Sequence, residues 1–143
     1  MRPKSIAFLA SAAGARILGN GDRNVFDVRI DSREAAAGCL FVCVIGDIND
    51  GHNYMHGAYD NGCRIFLMSR EEKAEELLAR DPDVSILLAD DTQIAFRDMA
   101  KAYLGQFDVK KLAITGSVGK TSTRTYTAAI IGSRYDTKSS QKN

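Results

Sequence analysis

Tryptophan is absent, proline occurs twice, and aromatic residues make up only 8% of the 143 residues. So little proline excludes a proline-rich linker protein, and so few large rings exclude an aromatic interface belt. Nor is there an excess of charge of one sign: 19 lysines and arginines against 18 aspartates and glutamates leave a net charge of +1. A chain this close to neutral draws in neither nucleic acid nor an anionic membrane through its overall field, so any anion must be met by a local device. No run approaches the ~20 consecutive apolar residues of a membrane span, which argues against membrane insertion. Three cysteines, Cys39, Cys43 and Cys63, are an odd number without metal-ligand spacing. They read best as small buried apolar side chains in a reducing cytosol.

What is present is globular material: 45% hydrophobic and 26% charged residues, close to the roughly 45–50% and 25% of folded domains. The length suits one domain, or one domain and part of another. At the amino terminus, Met1-Arg2-Pro3-Lys4 before Ile6 to Ala10 has the outline of a signal peptide. However, Ile6, Leu9, Ala10, Ala13 and Ile17 recur every three or four residues behind a Ser5 cap. With Arg16 and the Gly19-Asn20-Gly21 stop, they favour an amphipathic helix. Strands are expected over residues 25–30, 39–45, 64–68, 85–88 and 111–115. Helices are expected over 53–61, 70–80 (capped by Ser69), 92–106 and 120–131, and residues 135–138 could begin one more strand.

This alternation predicts an α/β fold with a largely parallel or mixed sheet. A lone strand, turn and helix at the end cannot cover both faces of a parallel sheet. The expectation is therefore a complete small mixed-sheet domain over residues 1–107. Residues 108–143 would then be the first strand–loop–helix unit of a second, truncated parallel-sheet domain.

Thr115-Gly116-Ser117-Val118-Gly119-Lys120-Thr121-Ser122 is the most informative stretch. Gly116 and Gly119 allow the backbone to curl so that successive amides point at phosphate oxygens, and the following helix adds its positive end. Lys120 would place an ammonium between the β- and γ-phosphates of a nucleotide, and the Thr121 hydroxyl would sit on Mg²⁺. Ser117, Val118 and Gly119 would give amides, and Ser122 could assist. The spacing is shorter than in the general P-loop: only Ser117 and Val118 separate Gly116 from the Gly119-Lys120 pair, and Ile114 stands where the first glycine would be. Taken alone, the loop could be a glycine turn beside an exposed lysine. The apolar strand expected before it and the helix after it favour nucleotide triphosphate binding.

These residues resemble the shortened P-loop of the Mur ligases, the ATP-dependent amide-forming enzymes of peptidoglycan assembly. A second, separate set of residues resembles the amino-terminal domain of the members that use UDP-N-acetylmuramoyl-peptides. It comprises Asp31-Ser32-Arg33, Gly38-Cys39-Leu40-Phe41-Val42, Gly46 and Asp50-Gly51-His52. The resemblance covers essentially the whole chain. Gly-Ser-Val-Gly-Lys-Thr and the run 137–143 are more similar to the member that joins D-alanyl-D-alanine to UDP-N-acetylmuramoyl-tripeptide. The member that adds the third amino acid to the dipeptide usually shows Gly-Thr-Asn-Gly-Lys-Thr.

The resemblance implies a cytoplasmic ligase with ATP and Mg²⁺ as cofactors, small-molecule substrates and no nucleic-acid partner. The substrate carboxylate attacks the γ-phosphate of ATP to give an acyl phosphate, which the incoming amine then displaces. Lys120 is the catalytic residue so implied. Asp31, Ser32, Arg33, Gly46, Asp50, Gly51 and His52 are the implied substrate-binding set, with Ser32 and its neighbours at the uridine diphosphate end. A blander account stays open: Asp31 and Ser32 could close a turn, Arg33 could be a solvated charge, and Gly51 could serve the backbone alone. His52 and His56 are four apart but have no acidic partner with metal-site spacing, so zinc is not expected.

The family's central domain continues with further metal ligands and a carboxylated lysine, and a third domain follows. The chain is thus expected to be the front portion of such a ligase, inert alone and dependent on those missing domains. A free-standing UDP-sugar or nucleotide-binding module and an unrelated P-loop hydrolase are the alternatives.

Overall fold

The computed structural model describes residues 2–140 and divides into two compact units, Met1–Phe107 and Asp108–Asn143. Residues 1 and 141–143, the latter closing the run singled out above, lie outside the described residues.

The first unit opens with a short strand, β1 (Lys4–Ser5), and a helix, α1 (Ile6–Ala13). Ser5 caps α1 by accepting the Phe8 amide on its hydroxyl, as its position before the apolar run predicts. The helix stops earlier than its periodicity suggested. Gly14 takes the left-handed conformation (φ 62°), its amide bonds back to Ala10, and Arg16–Gly19 then runs as strand β2. Ile17 and Leu18 pack on opposite faces of the sheet. The four-residue step from Ala13 to Ile17 therefore belonged to two elements, not one.

The expected strand 25–30 is likewise divided. β3 (Asn24–Val25) pairs with β1, whereas β4 (Asp27–Arg29) joins the main sheet, and the Phe26 amide between them bonds to Gly38. β5 (Cys39–Val42) follows, shorter than expected because the chain turns at Val44 into a tight loop. Then come α2 (Met55–Asp60), β6 (Ile65–Met68), α3 (Glu71–Arg80), β7 (Ser85–Leu88) and α4 (Thr92–Gly105). Ser69 does not cap α3. Arg70 holds the cap position without a side-chain bond, and the Ser69 amide is directed at His52.

The main sheet has the order β2-β7-β6-β5-β4, with β4 to β7 parallel and β2 antiparallel to β7. Every residue of β5, β6 and β7 is buried, as a parallel sheet covered on both faces requires. Along β5 the side chains alternate: Cys39 and Phe41 enter the core beneath α2 and α3, while Leu40 and Val42 enter the one beneath α1 and α4. Phe41 meets Phe66 edge to face at 6.2 Å. Each such large apolar side chain removed from water contributes about 1.5–3 kcal/mol. The mixed α/β architecture anticipated from the sequence is thus the one observed.

In the second unit, helix α5 (Lys120–Gly132) is the only regular element among the described residues, and none of its residues is buried. The strands expected at residues 111–115 and 135–138 are not formed. A strand exists by pairing with a neighbour, and this unit supplies no ladder for either segment. Among the described residues, no helix is long and apolar enough to cross a membrane.

Candidate functional site

Two sets of groups stand out, one in each unit. In the first unit they gather where the parallel strands end, the edge at which open α/β sheets bind ligands. β4 runs into Asp31-Ser32-Arg33, which forms a 3₁₀ turn at Ser32–Glu34. Asp31 accepts the Arg33 amide at 3.0 Å and its guanidinium at 2.9 and 2.6 Å. The Arg33 side chain, followed by its amide, holds the Asp31 carboxyl at about 2. Arg33 is nonetheless 86% exposed, so its outer face is open to solvent.

Ser32 differs from its neighbours. Its backbone carbonyl accepts Asn61 at 2.9 Å, but its hydroxyl makes no hydrogen bond among the described residues and lies beside Gly57. Asp31 is committed to the turn, and Ser32 keeps a half-buried polar group to offer.

The next strand, β5, ends in the second motif. The Gly46 amide bonds to Asn49 at 2.8 Å, and Ile45 bridges to Asp50, closing a small loop. Asp50 starts a 3₁₀ turn at Gly51–Tyr54. One of its oxygens accepts both the His52 amide (2.9 Å) and the His52 ring (2.6 Å). The other lies 2.6 Å from Arg70 at the end of β6. Burial pushes the Asp50 carboxyl up, but the bonds from His52 and Arg70 outweigh it, and the net position is below the ordinary value.

The His52 side chain is wholly buried, and its Nε2 accepts the Ser69 amide at 3.0 Å. A backbone N–H can only donate, so the ring proton sits on Nδ1 and is given to Asp50. Both nitrogens are used inside the fold. Gly51 is fixed by proximity: a Cβ there would come within 2.6 Å of the Val44 nitrogen and 2.8 Å of the Cys43 carbonyl carbon. Asp50, Gly51 and His52 therefore shape the loop that begins at Gly46, whereas Ser32 and Arg33 present polar groups outward.

By sequence, Ser69 reads only as a helix cap and Arg70 has no role beyond opening that helix, whereas both tie the end of β6 to that loop. The hollow beside them was also missed. This hollow, about 370 Å³, is lined by Arg16, Ser69, Glu71, Ala89 and Asp90 among others. The rule that ligands gather at strand ends points to Ser69 and Asp90 once β6 and β7 are recognised. No comparable signal marks Arg70.

In the second unit, Gly116 (φ 155°) and Gly119 (φ 79°) both lie on the positive side that favours glycine, and Gly119 forms the N-cap of α5. The loop is curled rather than extended: Lys120 reaches back to the Gly116 carbonyl at 2.6 Å. No side chain caps the helix start, and a Cβ at Gly119 would meet nothing within 4 Å. Val118 is 90% exposed. Thr121 and Ser122 occupy the first turn, with the Thr125 hydroxyl bonded to the Thr121 carbonyl. A curled glycine backbone, a helix start without a side-chain cap and a nearby ammonium fit a polyphosphate.

Comparison with known proteins gives a consistent result. The family model for the Mur ligase family, catalytic domain, matches residues 25–107. That match ends with the first unit, and the glycine loop lies outside it. The UDP-N-acetylmuramoyl-tripeptide–D-alanyl-D-alanine ligase of Buchnera aphidicola is 31% identical over 98% of this chain and 28% of its own length. The UDP-N-acetylmuramoyl-L-alanyl-D-glutamate–2,6-diaminopimelate ligase of Clostridium botulinum is 34% identical over 76% of this chain and 22% of its own.

Among solved structures, MurF from Acinetobacter baumannii superposes with a TM-score of 0.80 at 24% identity, over 94% of this chain and 28% of that one. The MurF ligase from Thermotoga maritima, in complex with ADP, gives 0.63 at 26% identity, over 76% of this chain and 23% of its own. The chain thus spans between a fifth and a third of the length of each of these relatives.

Proposed function

This chain belongs to the Mur ligase family, and from that premise we propose that it is the front portion of an ATP-dependent ligase of peptidoglycan precursor synthesis. The reaction it serves is the joining of D-alanyl-D-alanine to UDP-N-acetylmuramoyl-tripeptide, in the cytoplasm. The observation that carries this reading is the likeness to a D-alanyl-D-alanine ligase that runs through both units, supported by the Gly-Ser-Val-Gly-Lys-Thr loop.

In the first unit, Ser32 and Arg33 bind the uridine diphosphate end of the muramoyl peptide, and the loop from Gly46 adjoins it. Asp31 holds Arg33, while Asp50, Gly51 and His52 hold the loop. In the second unit, the amides from Gly116 to Lys120 and the first turn of α5, with Ser117, Val118, Gly119 and Ser122, cradle the phosphates. ATP, when bound with Mg²⁺, supplies the phosphoryl group that activates the substrate carboxylate. Lys120 leaves the Gly116 carbonyl to neutralise phosphate charge, holding two anionic reactants close enough to react. Thr121 offers a hydroxyl to Mg²⁺. No group of three or more His, Cys, Asp or Glu that could hold a metal is found among the described residues. Phosphate oxygens of the nucleotide would share in holding the ion.

Calorimetry with uridine diphosphate, together with phosphate release, tests the proposal. The 143-residue polypeptide should bind uridine diphosphate, and it should release no phosphate above blank from ATP, UDP-N-acetylmuramoyl-tripeptide and D-alanyl-D-alanine. Turnover by the polypeptide alone, or no uridine diphosphate binding at millimolar concentration, overturns it. The identity to the diaminopimelate-adding relative favours a second reading, addition of the third amino acid to the dipeptide. Tighter binding of UDP-N-acetylmuramoyl-dipeptide than of the tripeptide would favour that reading instead.

A further inference from the structure

We propose that Cys39 and Cys63 are an oxidative modification site, a dithiol that closes to an internal disulfide when a peroxide reaches it. Their sulfurs lie 3.6 Å apart. Cys39 opens β5 and Cys63 stands just before β6, the adjacent strand, and both are buried in one core cluster. Cys43 is buried in the same cluster, but its sulfur has no hydrogen bond among the described residues. The pairing is therefore selective before any oxidant arrives.

The two thiols are also unequal. The hydrogen bond with Cys63, and then the Ala36 amide, bring the Cys39 thiol down against the opposing effect of burial. The same contact and burial push Cys63 up. The shared contact thus favours loss of one proton from the pair, at Cys39 before Cys63, and a thiolate is the nucleophile that attacks a peroxide. Burial, and then the nearby Asp50 charge, push Cys43 up as well, which leaves it inert. A cavity of about 270 Å³ lies at the amino ends of the strands, lined by Phe26, Gly38, Gly62 and Arg64 among others. Gly38 and Gly62 each precede one of the paired cysteines in the chain, so the cavity lies next to the dithiol in sequence.

The chemistry balances. The Cys39 thiolate attacks one oxygen of hydrogen peroxide, breaking the O–O bond to give a sulfenic acid and hydroxide, which takes up the proton Cys39 had lost. The Cys63 sulfur then displaces the sulfenic hydroxyl, forming the S–S bond, while its own proton leaves with that hydroxyl as water. Two thiols lose two electrons to one peroxide and two waters form. A dithiol reductant reverses it. The bridge would fasten the segment after the Ser32–Glu34 turn to the end of α2, because Ala36 bonds to Cys39 and the Cys63 amide bonds to Ala58.

The test uses the reduced full chain, treated under native conditions with a few equivalents of hydrogen peroxide, then denatured, alkylated and analysed by intact mass and peptide mapping. The expected product has lost two hydrogens, alkylates only at Cys43, carries a 39–63 cross-link and reverts with dithiothreitol. Cys43→Ala should still close the bridge, whereas Cys39→Ser and Cys63→Ser should not. Three alkylated thiols, a bridge to Cys43, or over-oxidation of Cys39 with Cys63 left free would overturn the proposal. So would a 39–63 bridge that forms no faster in the native chain than in guanidinium.

Discussion

The Arg70 guanidinium stands 2.6 Å from the Asp50 carboxylate and joins the end of one strand to the loop after its neighbour. Through Asp50 the tie reaches His52, and through His52 it returns to the amide of Ser69, the residue before Arg70. The circuit closes on itself and fixes the loop beside the proposed uridine site. Removing any member leaves a polar group without its partner, the costly direction of change.

Acid should weaken this circuit. The folded Asp50 carboxyl lies below its ordinary value, so its stabilisation is complete above the unfolded value of roughly 3.9. It is lost as pH falls through the folded one. Asp50→Asn should therefore be less stable than the parent at pH 7, and the gap should narrow below about pH 4. Denaturant midpoints measured from pH 7 to pH 3 give the comparison. A gap that stays constant across that range would show that the ionised carboxylate is not what stabilises the loop.

His52→Ala should lower the unfolding free energy by about 2–4 kcal/mol, through the lost volume and the unpaired Ser69 amide together. His52→Gln keeps a donor and an acceptor and should restore part of the loss. Urea unfolding reads both. An alanine variant within 0.5 kcal/mol of the parent would contradict the buried, doubly bonded histidine.

Gly51 tests the close approach. An added methyl meets backbone atoms rather than a flexible side chain, so Gly51→Ala should cost about 1–3 kcal/mol. It should also weaken uridine diphosphate binding by displacing the loop from Gly46. An unchanged thermal midpoint would show that the backbone yields there.

Ser32→Ala should separate binding from stability. Its hydroxyl has no bond among the described residues to lose, so the unfolding free energy should stay within about 0.5 kcal/mol of the parent. One missing ligand hydrogen bond should loosen uridine diphosphate by about tenfold. Equal affinities for the parent and the variant would return Ser32 to the role of a turn residue.

Lys120→Ala should weaken Mg-ATP at least about tenfold while leaving the unfolding of the first unit untouched. Calorimetry and urea titration of the same sample read the two effects. Undiminished nucleotide binding would mean that the ammonium is not part of the phosphate cradle.

The elements legible in the sequence were those with a local cause. Ser5 before an apolar run, Asp31 before a turn and Gly119 before a helix each carry their instruction within a few residues. The divisions at Gly14 and Phe26 were hidden, since both depend on which distant strand receives the next segment: Ser85–Leu88 for β2, and Lys4–Ser5 for β3. The motifs themselves were visible as spacing, but their roles were not. Nothing in Asp50-Gly51-His52 reveals that the histidine faces inward, because that follows from where the Ser69 amide falls once β6 is docked. Likewise, residues 111–115 have the composition of a strand, but composition cannot supply the neighbour that a strand needs.

The pairing of Arg16–Gly19 with Ser85–Leu88 has a bearing on biosynthesis. The earlier segment leaves the ribosome well before its partner exists, so β2 must wait, its peptide groups unsatisfied, until the fourth parallel strand emerges. The β2–β7 pairing thus joins segments about 70 residues apart, a long-range contact that the chain can form only after β7 has been made. A polypeptide arrested before Ser85 would carry an orphan edge able to stitch onto other nascent chains.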